Sequence, residues 1–265
     1  MIKRLRTILS PAAAPAQAIA SVPEGERAYA IGDVHGRLDL FEQLIAAIDA
    51  DDAGRAPAET TVVLLGDLVD RGPDSAGVID AAMAWGERRR VRLLAGNHEE
   101  MFLDSLERTE VLRHFLRYGG KETVLSYPVD RSDYRDLTLD ELQARMRAAV
   151  PQAHINYMRG AEDAVTIGDY LFVHAGIRPG IPLEDQNPAD LRWIRDSFIS
   201  DPRDHGCVVV HGHTISDAVE EMPNRIGIDT GAFQSGRLTA LGLEGSQRWY
   251  LTARDAIARA DDEAA

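Results

Sequence analysis

The chain has 265 residues, 45% of them hydrophobic and 27% charged, and a formal net charge of −14 at pH 7. Such a chain can bury one large core, while its acidic balance argues against a nucleic-acid binder, which needs a basic face. The single cysteine, Cys207, excludes an internal disulfide framework and suits a reducing, cytoplasmic setting, and no run of about 18 apolar residues predicts a membrane span.

Residues 1–26 read as a flexible tail. Lys3, Arg4 and Arg6 precede an Ala-rich run as in a secretion signal, but Pro11, Pro15 and Gln17 interrupt the apolar segment a signal requires. A domain over residues 27–252 then opens with a repeated order of short apolar strand, polar motif and helix. The strand at 29–31 ends in Gly32-Asp33-Val34-His35-Gly36, and Leu38, Phe41, Leu44, Ile45 and Ile48 follow at helical spacing. The β-branched run at 61–65 ends in Gly66-Asp67-Leu68-Val69-Asp70-Arg71-Gly72, and a helix is predicted over 75–85. The strand at 91–94 ends in Gly96-Asn97-His98-Glu99. This order predicts an α/β (α+β) fold with functional groups at the carboxyl ends of strands.

Between about 101 and 169 the rhythm stops. Gly119 and Gly120 break a helix end, and Thr138 and Pro151 bracket a helix at 139–150. With no polar motif of the same kind, this stretch reads as a helical cap beside the site. The rhythm returns at 170–173, before His174-Ala175-Gly176, and at 208–210, before His211-Gly212-His213-Thr214. Runs at 225–228, 238–243 and 247–251 read as a closing antiparallel meander, and 253–265 as a C-terminal tail ending in a frayed helix.

The five motifs deliver Asp, Asn and His side chains that can bind two divalent ions through mixed oxygen and nitrogen donors. That donor set suits manganese first, then iron or zinc, and suits calcium poorly. Two such ions can share a hydroxide and clamp a phosphoryl group for in-line attack. Duller roles exist for several residues. Asp70 and Arg71 can form a surface ion pair, and Glu99 and Glu100 can favour a helix N-terminus through its dipole. His211 competes with His213 as a ligand, His114, His154 and His205 read as surface or helix-face residues, and Trp85 reads as core.

From 28 to 244 the motif series, with Ile228-Asp229-Thr230-Gly231-Ala232 and Gly236-Arg237-Leu238-Thr239-Ala240, resembles the phosphoprotein phosphatase family of calcineurin-like metallophosphoesterases. Its bacterial and phage-type protein serine/threonine phosphatases are the nearest in pattern. The resemblance implies a four-layer sandwich of two mixed β-sheets flanked by helices. It implies that Asp33, His35 and Asp67 hold a first metal, and that Asp67, Asn97, His174 and His213 hold a second. Asp70 and His98 match the family's acid pair. Arg71, Asn97 and, through Trp193-Ile194-Arg195, Arg195 match phosphate-binding positions, with Arg192 the alternative if the Trp segment is shifted.

Two functions are expected from the resemblance. The first is a protein serine/threonine phosphatase acting on a phosphorylated protein or peptide. The alternative is a symmetrical diadenosine tetraphosphate hydrolase or another phosphate-anhydride hydrolase. In those hydrolases the second motif usually lacks the Asp before Arg and the third usually ends in Asp, so Asp70 and Glu99 favour the phosphatase. A non-enzymatic metal-bound scaffold is a remote third reading, because every expected ligand, acid and arginine is present.

Overall fold

The computed structural model describes residues 20–258. Ten strands run in chain order: β1 (Glu26–Ile31), β2 (Glu59–Leu64), β3 (Arg90–Leu93), β4 (Ala164–Ile167), β5 (Tyr170–Val173), β6 (Val208–His211), β7 (Glu220–Glu221), β8 (Arg225–Gly227), β9 (Arg237–Glu244) and β10 (Gln247–Arg254). They form two five-stranded mixed sheets, ordered β10-β9-β1-β2-β3 and β4-β5-β6-β8-β7. Helices α1 (Leu38–Ala53) and α2 (Ser75–Gly86) cover the outer face of the first sheet. Then come α3 (Asn97–Ser105), α4 (Thr109–Phe115), α5 (Lys121–Ser126), α6 (Arg131–Asp136), α7 (Leu139–Ala149) and α8 (Gln152–Arg159), which build the cap. Two short helices, α9 (Pro188–Trp193) and α10 (Asp196–Ile199), cover the outer face of the second sheet.

Side-chain alternation along the strands separates the layers. In β1, Tyr29 and Ile31 enter the core under α1 and α2, while Ala28 and Ala30 face the second sheet. In β5, Tyr170 and Phe172 point between the sheets, and Leu171 and Val173 point to the outer layer. Small alanines opposite large aromatics let the two sheets interdigitate. The result is the expected four-layer sandwich.

β1, β2 and β3 pair in parallel, as do β5, β6 and β8. Parallel strands end on the same side, which brings the segments after β1, β2, β3, β5 and β6 to one edge.

Three expectations need correction. The run at 225–228 does not join a meander with the last two strands: β8 lies in the second sheet, parallel to β6 and antiparallel to β7, while β9 and β10 form a hairpin in the first sheet, with β9 also antiparallel to β1. The cap ends earlier than 169, because Ala164–Ile167 is a strand; Val165 and Ile167 are buried, Thr166 is exposed, and β5 supplies its hydrogen bonds. Residues 20–25 and 253–258, assigned to tails, pack on the domain: Val22 is buried and bonded to Gly245, and Ala253 and Ala258 are buried. Residues 1–19 and 259–265, the rest of both tails, lie outside the described residues.

Candidate active site

Among the described residues, five non-glycine residues have positive φ: His35 (45°), Asp67 (51°), Asp70 (73°), Arg71 (69°) and His213 (62°). All five belong to the polar motifs. The left-handed region costs an L-residue on the order of 1 kcal/mol or more, so it persists only where the surroundings impose it. Here each strand end turns sharply enough to throw its side chain back over the sheet edge. Glycines make room: a Cβ on Gly212 would lie 2.1 Å from Asp33 Oδ1, and one on Gly96 would lie 2.3 Å from Asp67 Oδ1.

The turns bring Asp33, His35, Asp67, Asn97, His174 and His213 into one buried cluster. Asp67 is at its centre. Its Oδ2 lies 3.6 Å from His35 Nε2, and its Oδ1 lies 3.4 Å from His174 Nε2. One carboxylate therefore faces two groups of donors, His35 with His98 on one side and His174 with His213 on the other. Asp33 closes the gap between distant strands by accepting the His213 N–H at 3.1 Å.

The imidazole protons are fixed from behind. His35 Nδ1 donates to Val69 O at 2.8 Å and His174 Nδ1 donates to Leu65 O at 2.7 Å, which leaves each Nε2 a lone pair aimed at the cluster. Around His174 Nε2 stand Asn97 Oδ1 at 3.0 Å, His213 Nδ1 at 3.2 Å and Asp67 Oδ1 at 3.4 Å. The His174 Nε2 lone pair facing the Asn97 and Asp67 oxygens sets acceptor against acceptor, an arrangement that a cation satisfies and hydrogen bonding does not. His213 Nε2 and Asp229 Oδ2 are buried without a hydrogen-bond partner.

Electrostatics agree with that chemistry. Burial, reinforced by the carboxylates of Asp229 and Asp67, pushes Asp33 well above the ordinary carboxylate value. Burial also lifts Asp229 to about 6, with Asp67 adding to it. The imidazoles move the other way, His35 to about 3 by burial and His213 to about 2 by burial and His174. Crowded carboxylates and neutral imidazoles fit divalent cations.

Beside the cluster, His98 Nδ1 meets Asp70 Oδ2 at 2.6 Å, and Asp70 is fully buried. The surface ion pair of Asp70 with Arg71 is thus absent; Asp70 serves His98. Burial disfavours the imidazolium of His98, but Asp67 and Asp70 outweigh it and raise its pKa above the ordinary value. The Arg71 guanidinium donates to His35 Nε2 at 2.7 Å, comes within 2.9 Å of His98 Nε2, and lies 4.8 Å from the Phe233 ring centroid. Arg195 reaches the other end, with Nη1 3.4 Å from His213 O. Arg192 is bound instead to Glu100 and Asp163, at 3.1 and 2.6 Å. Of the two arginines flanking the Trp193 segment, Arg195 is therefore the one at the cluster, opposite Arg71. His211 is buried behind the site, against Gly212 O and Arg225, and does not enter the cluster.

Some contributors were not legible in the sequence. Glu99 is no dipole ornament: its buried carboxylate accepts N–H groups of Asp67 (2.8 Å), Leu68 (2.7 Å), Val69 (3.4 Å) and Gly96 (3.1 Å). Thr123, from the cap, bonds Asp70, and Gly119 O accepts Arg71 N–H at 3.0 Å. His154 is not a surface residue but a buried one between Tyr127 and Asp80. Asp229 stands two residues after β8 and two before Gly231, a partial form of the five motifs, and that signal could have found it.

The profile of the family described as calcineurin-like phosphoesterase matches residues 27–232. A symmetrical bis(5'-nucleosyl)-tetraphosphatase of Acidovorax ebreus is 34% identical over 155 residues, covering 57% of this chain and 44% of that protein. The chain thus spans less than half the length of that relative. An asymmetrical bis(5'-nucleosyl)-tetraphosphatase, PrpE, of Anoxybacillus flavithermus is 26% identical over 234 residues, covering 80% and 88%. Among solved structures, one proposed to be a diadenosine tetraphosphatase superposes with a TM-score of 0.63 at 20% identity, covering 89% of this chain and 98% of its own. That last likeness concerns the fold.

Proposed function

The chain belongs to the calcineurin-like phosphoesterase family, and we propose that it is a two-metal hydrolase of dinucleoside tetraphosphates. The observation that carries the chemistry is Asp67, whose two carboxylate oxygens face two separate donor groups. Asp33, His35 and Asp67 would hold one ion, and Asp67, Asn97, His174 and His213 the other. Manganese is proposed on the mixed imidazole and carboxylate donors. When bound, the two ions lower the pKa of a water nucleophile and neutralise phosphoryl oxygens. Arg71 and Arg195, at opposite ends of the cluster, offer planar cationic forks to the phosphate, and Asn97 adds an amide. His98, held by Asp70, supplies a proton to the departing oxygen.

The substrate assignment takes its support from the two relatives, both named as bis(5'-nucleosyl)-tetraphosphatases. It replaces the sequence-based preference for a protein phosphatase, and the structure gives one reason. Glu99, which weighed toward that preference, faces backbone amides rather than the phosphate side of the cluster, so it speaks to the turn at Asp67 and not to the substrate.

One observation favours a second reading, a protein serine/threonine phosphatase. The buried Asp70–His98 pair, 2.6 Å apart, is of most use to an alkoxide leaving group. An anhydride expels a phosphate, which with a second pKa near 6 departs more readily without a proton. A hydrolysis panel separates the two: diadenosine tetraphosphate against phosphoserine, phosphothreonine and phosphotyrosine peptides, with manganese or with chelator. The proposal expects chelator-sensitive cleavage, fastest on the dinucleotide. Cleavage of peptides alone would transfer the assignment to the second reading, and chelator-resistant turnover would remove the two-metal basis of both.

A further inference from the structure

We propose that Thr123, which the cap inserts into the domain body, is a positioning residue for the Asp70–His98 pair. This rests on the reading of His98 as the proton donor to the leaving group.

Thr123 stands on α5, outside the five motifs, yet its side chain is fully buried against the second of them. Its Oγ1 lies 2.6 Å from Asp70 Oδ1, 2.8 Å from Asp70 N and 2.9 Å from Ser75 Oγ. Counting protons fixes the direction of each bond. The Asp70 N–H has no other role than donor, so Thr123 Oγ1 accepts from it. Asp70 Oδ1 can only accept, so the Thr123 hydroxyl proton points there. One oxygen of the Asp70 carboxylate is thereby committed to the cap. The other, Oδ2, is left to face His98 Nδ1 at 2.6 Å. His98 Nε2 is then directed at the cluster, 3.9 Å from Asp67 Oδ2.

Two features indicate a task beyond gluing the cap in place. Asp70 has a φ of 73°, and its amide is shared between Thr123 Oγ1 at 2.8 Å and Ser75 Oγ at 3.0 Å, but only the Thr123 hydroxyl also bonds its carboxylate, so Thr123 ties the backbone twist to the side-chain rotation. The next residue is gripped by the same cap, Arg71 N–H donating to Gly119 O at 3.0 Å. The cap thus holds the acid pair and a phosphate arginine through adjacent residues, Asp70 and Arg71.

The test compares the manganese-loaded full chain with its Thr123→Val, Thr123→Ser and His98→Asn variants on phenyl phosphate and on p-nitrophenyl phosphate. The second leaves with little need of a proton. Loss of one hydrogen bond to a charged carboxylate should lower turnover of phenyl phosphate by Thr123→Val roughly tenfold or more, with a loss below about threefold on p-nitrophenyl phosphate. Thr123→Ser, which keeps the hydroxyl, should restore both. In the zinc-loaded protein, the proton resonance of His98 Nδ1–H should shift in Thr123→Val and return in Thr123→Ser, a readout that needs no substrate. Equal losses of Thr123→Val on the two phosphates, or an unmoved resonance, would overturn the inference while leaving His98 as proton donor. Equal losses of His98→Asn on both would overturn the proton-donor reading, and the inference with it.

Discussion

Replacing Glu99 with Gln changes one oxygen to an NH2 group and almost nothing in volume, yet it should be among the most damaging conservative substitutions in the chain. In the folded protein that carboxylate accepts three N–H groups within 3.1 Å and a fourth at 3.4 Å, all from the turns that carry Asp67 and Asn97. A glutamine retains one acceptor oxygen, so either the Asp67 and Gly96 amides or the Leu68 and Val69 amides face an NH2 donor. Two buried donors losing their partner cost about 1–3 kcal/mol each. Against this stands the relief of burying a carboxylate whose pKa burial and Asp67 have pushed up to about 7. A net loss of about 2–3 kcal/mol follows, which for a chain of this size is a fall in Tm of roughly 4–12 °C. Glu100, adjacent in sequence, makes a part-exposed pair with Arg192 and a long bond from Trp193 Nε1, and Glu100→Gln should cost under about 1 kcal/mol. Thermal unfolding of both variants, with and without manganese, measures the contrast. Tm shifts of the same size in the two would refute the claim that Glu99 braces the Asp67 turn.

On the proposed two-metal reading, Asp67→Asn removes the anionic bridge while nearly preserving shape. Its metal content by elemental analysis should fall below that of the native protein and turnover should drop at least a hundredfold, so normal content with normal turnover would count against a shared ligand. Arg195→Ala should weaken binding of inorganic phosphate with little change in Tm, because its side chain makes only one long bond, to His213 O. Arg192→Ala should do the reverse, since Arg192 ties Glu100 to Asp163. Asp52 gives a pH prediction far from the metals. Burial alone would raise its pKa, but hydrogen bonds from Thr60, Arg27 and Arg89 outweigh it and hold it below the ordinary value. A depressed carboxylate stabilises above its unfolded pKa and loses that contribution as pH falls through the folded one. Denaturant unfolding should therefore find Asp52→Asn less stable than the native chain at pH 7, with the gap narrowing below about pH 4.

Asp33, His35, Asp67, Arg71, Asn97, His174 and His213 were legible because each stands in a short polar motif just after an apolar strand, and a parallel sheet sends such strand ends to one edge, whereas Arg195 was found only through its place after Trp193. Strand pairing was less so. Nothing in the order of residues says that β8 leaves the hairpin to join β6, because parallel pairing joins segments without a local turn signal. Glu99 and Thr123 were opaque for a different reason. A glutamate at a helix start and a threonine inside a short helix are ordinary there, and only the approach of the turns after β2 and of the cap gives them partners. Asp229 carried a readable signal. His154 carried none, since its buried partner is Tyr127, which follows α5 elsewhere in the cap.

Anomalous scattering from crystals of the manganese-loaded protein tests the central claim most directly. The account predicts two peaks per chain, both within coordination distance of Asp67, one shared with Asp33 and His35 and the other with Asn97, His174 and His213. A single peak, or two peaks of which Asp67 touches only one, would contradict it.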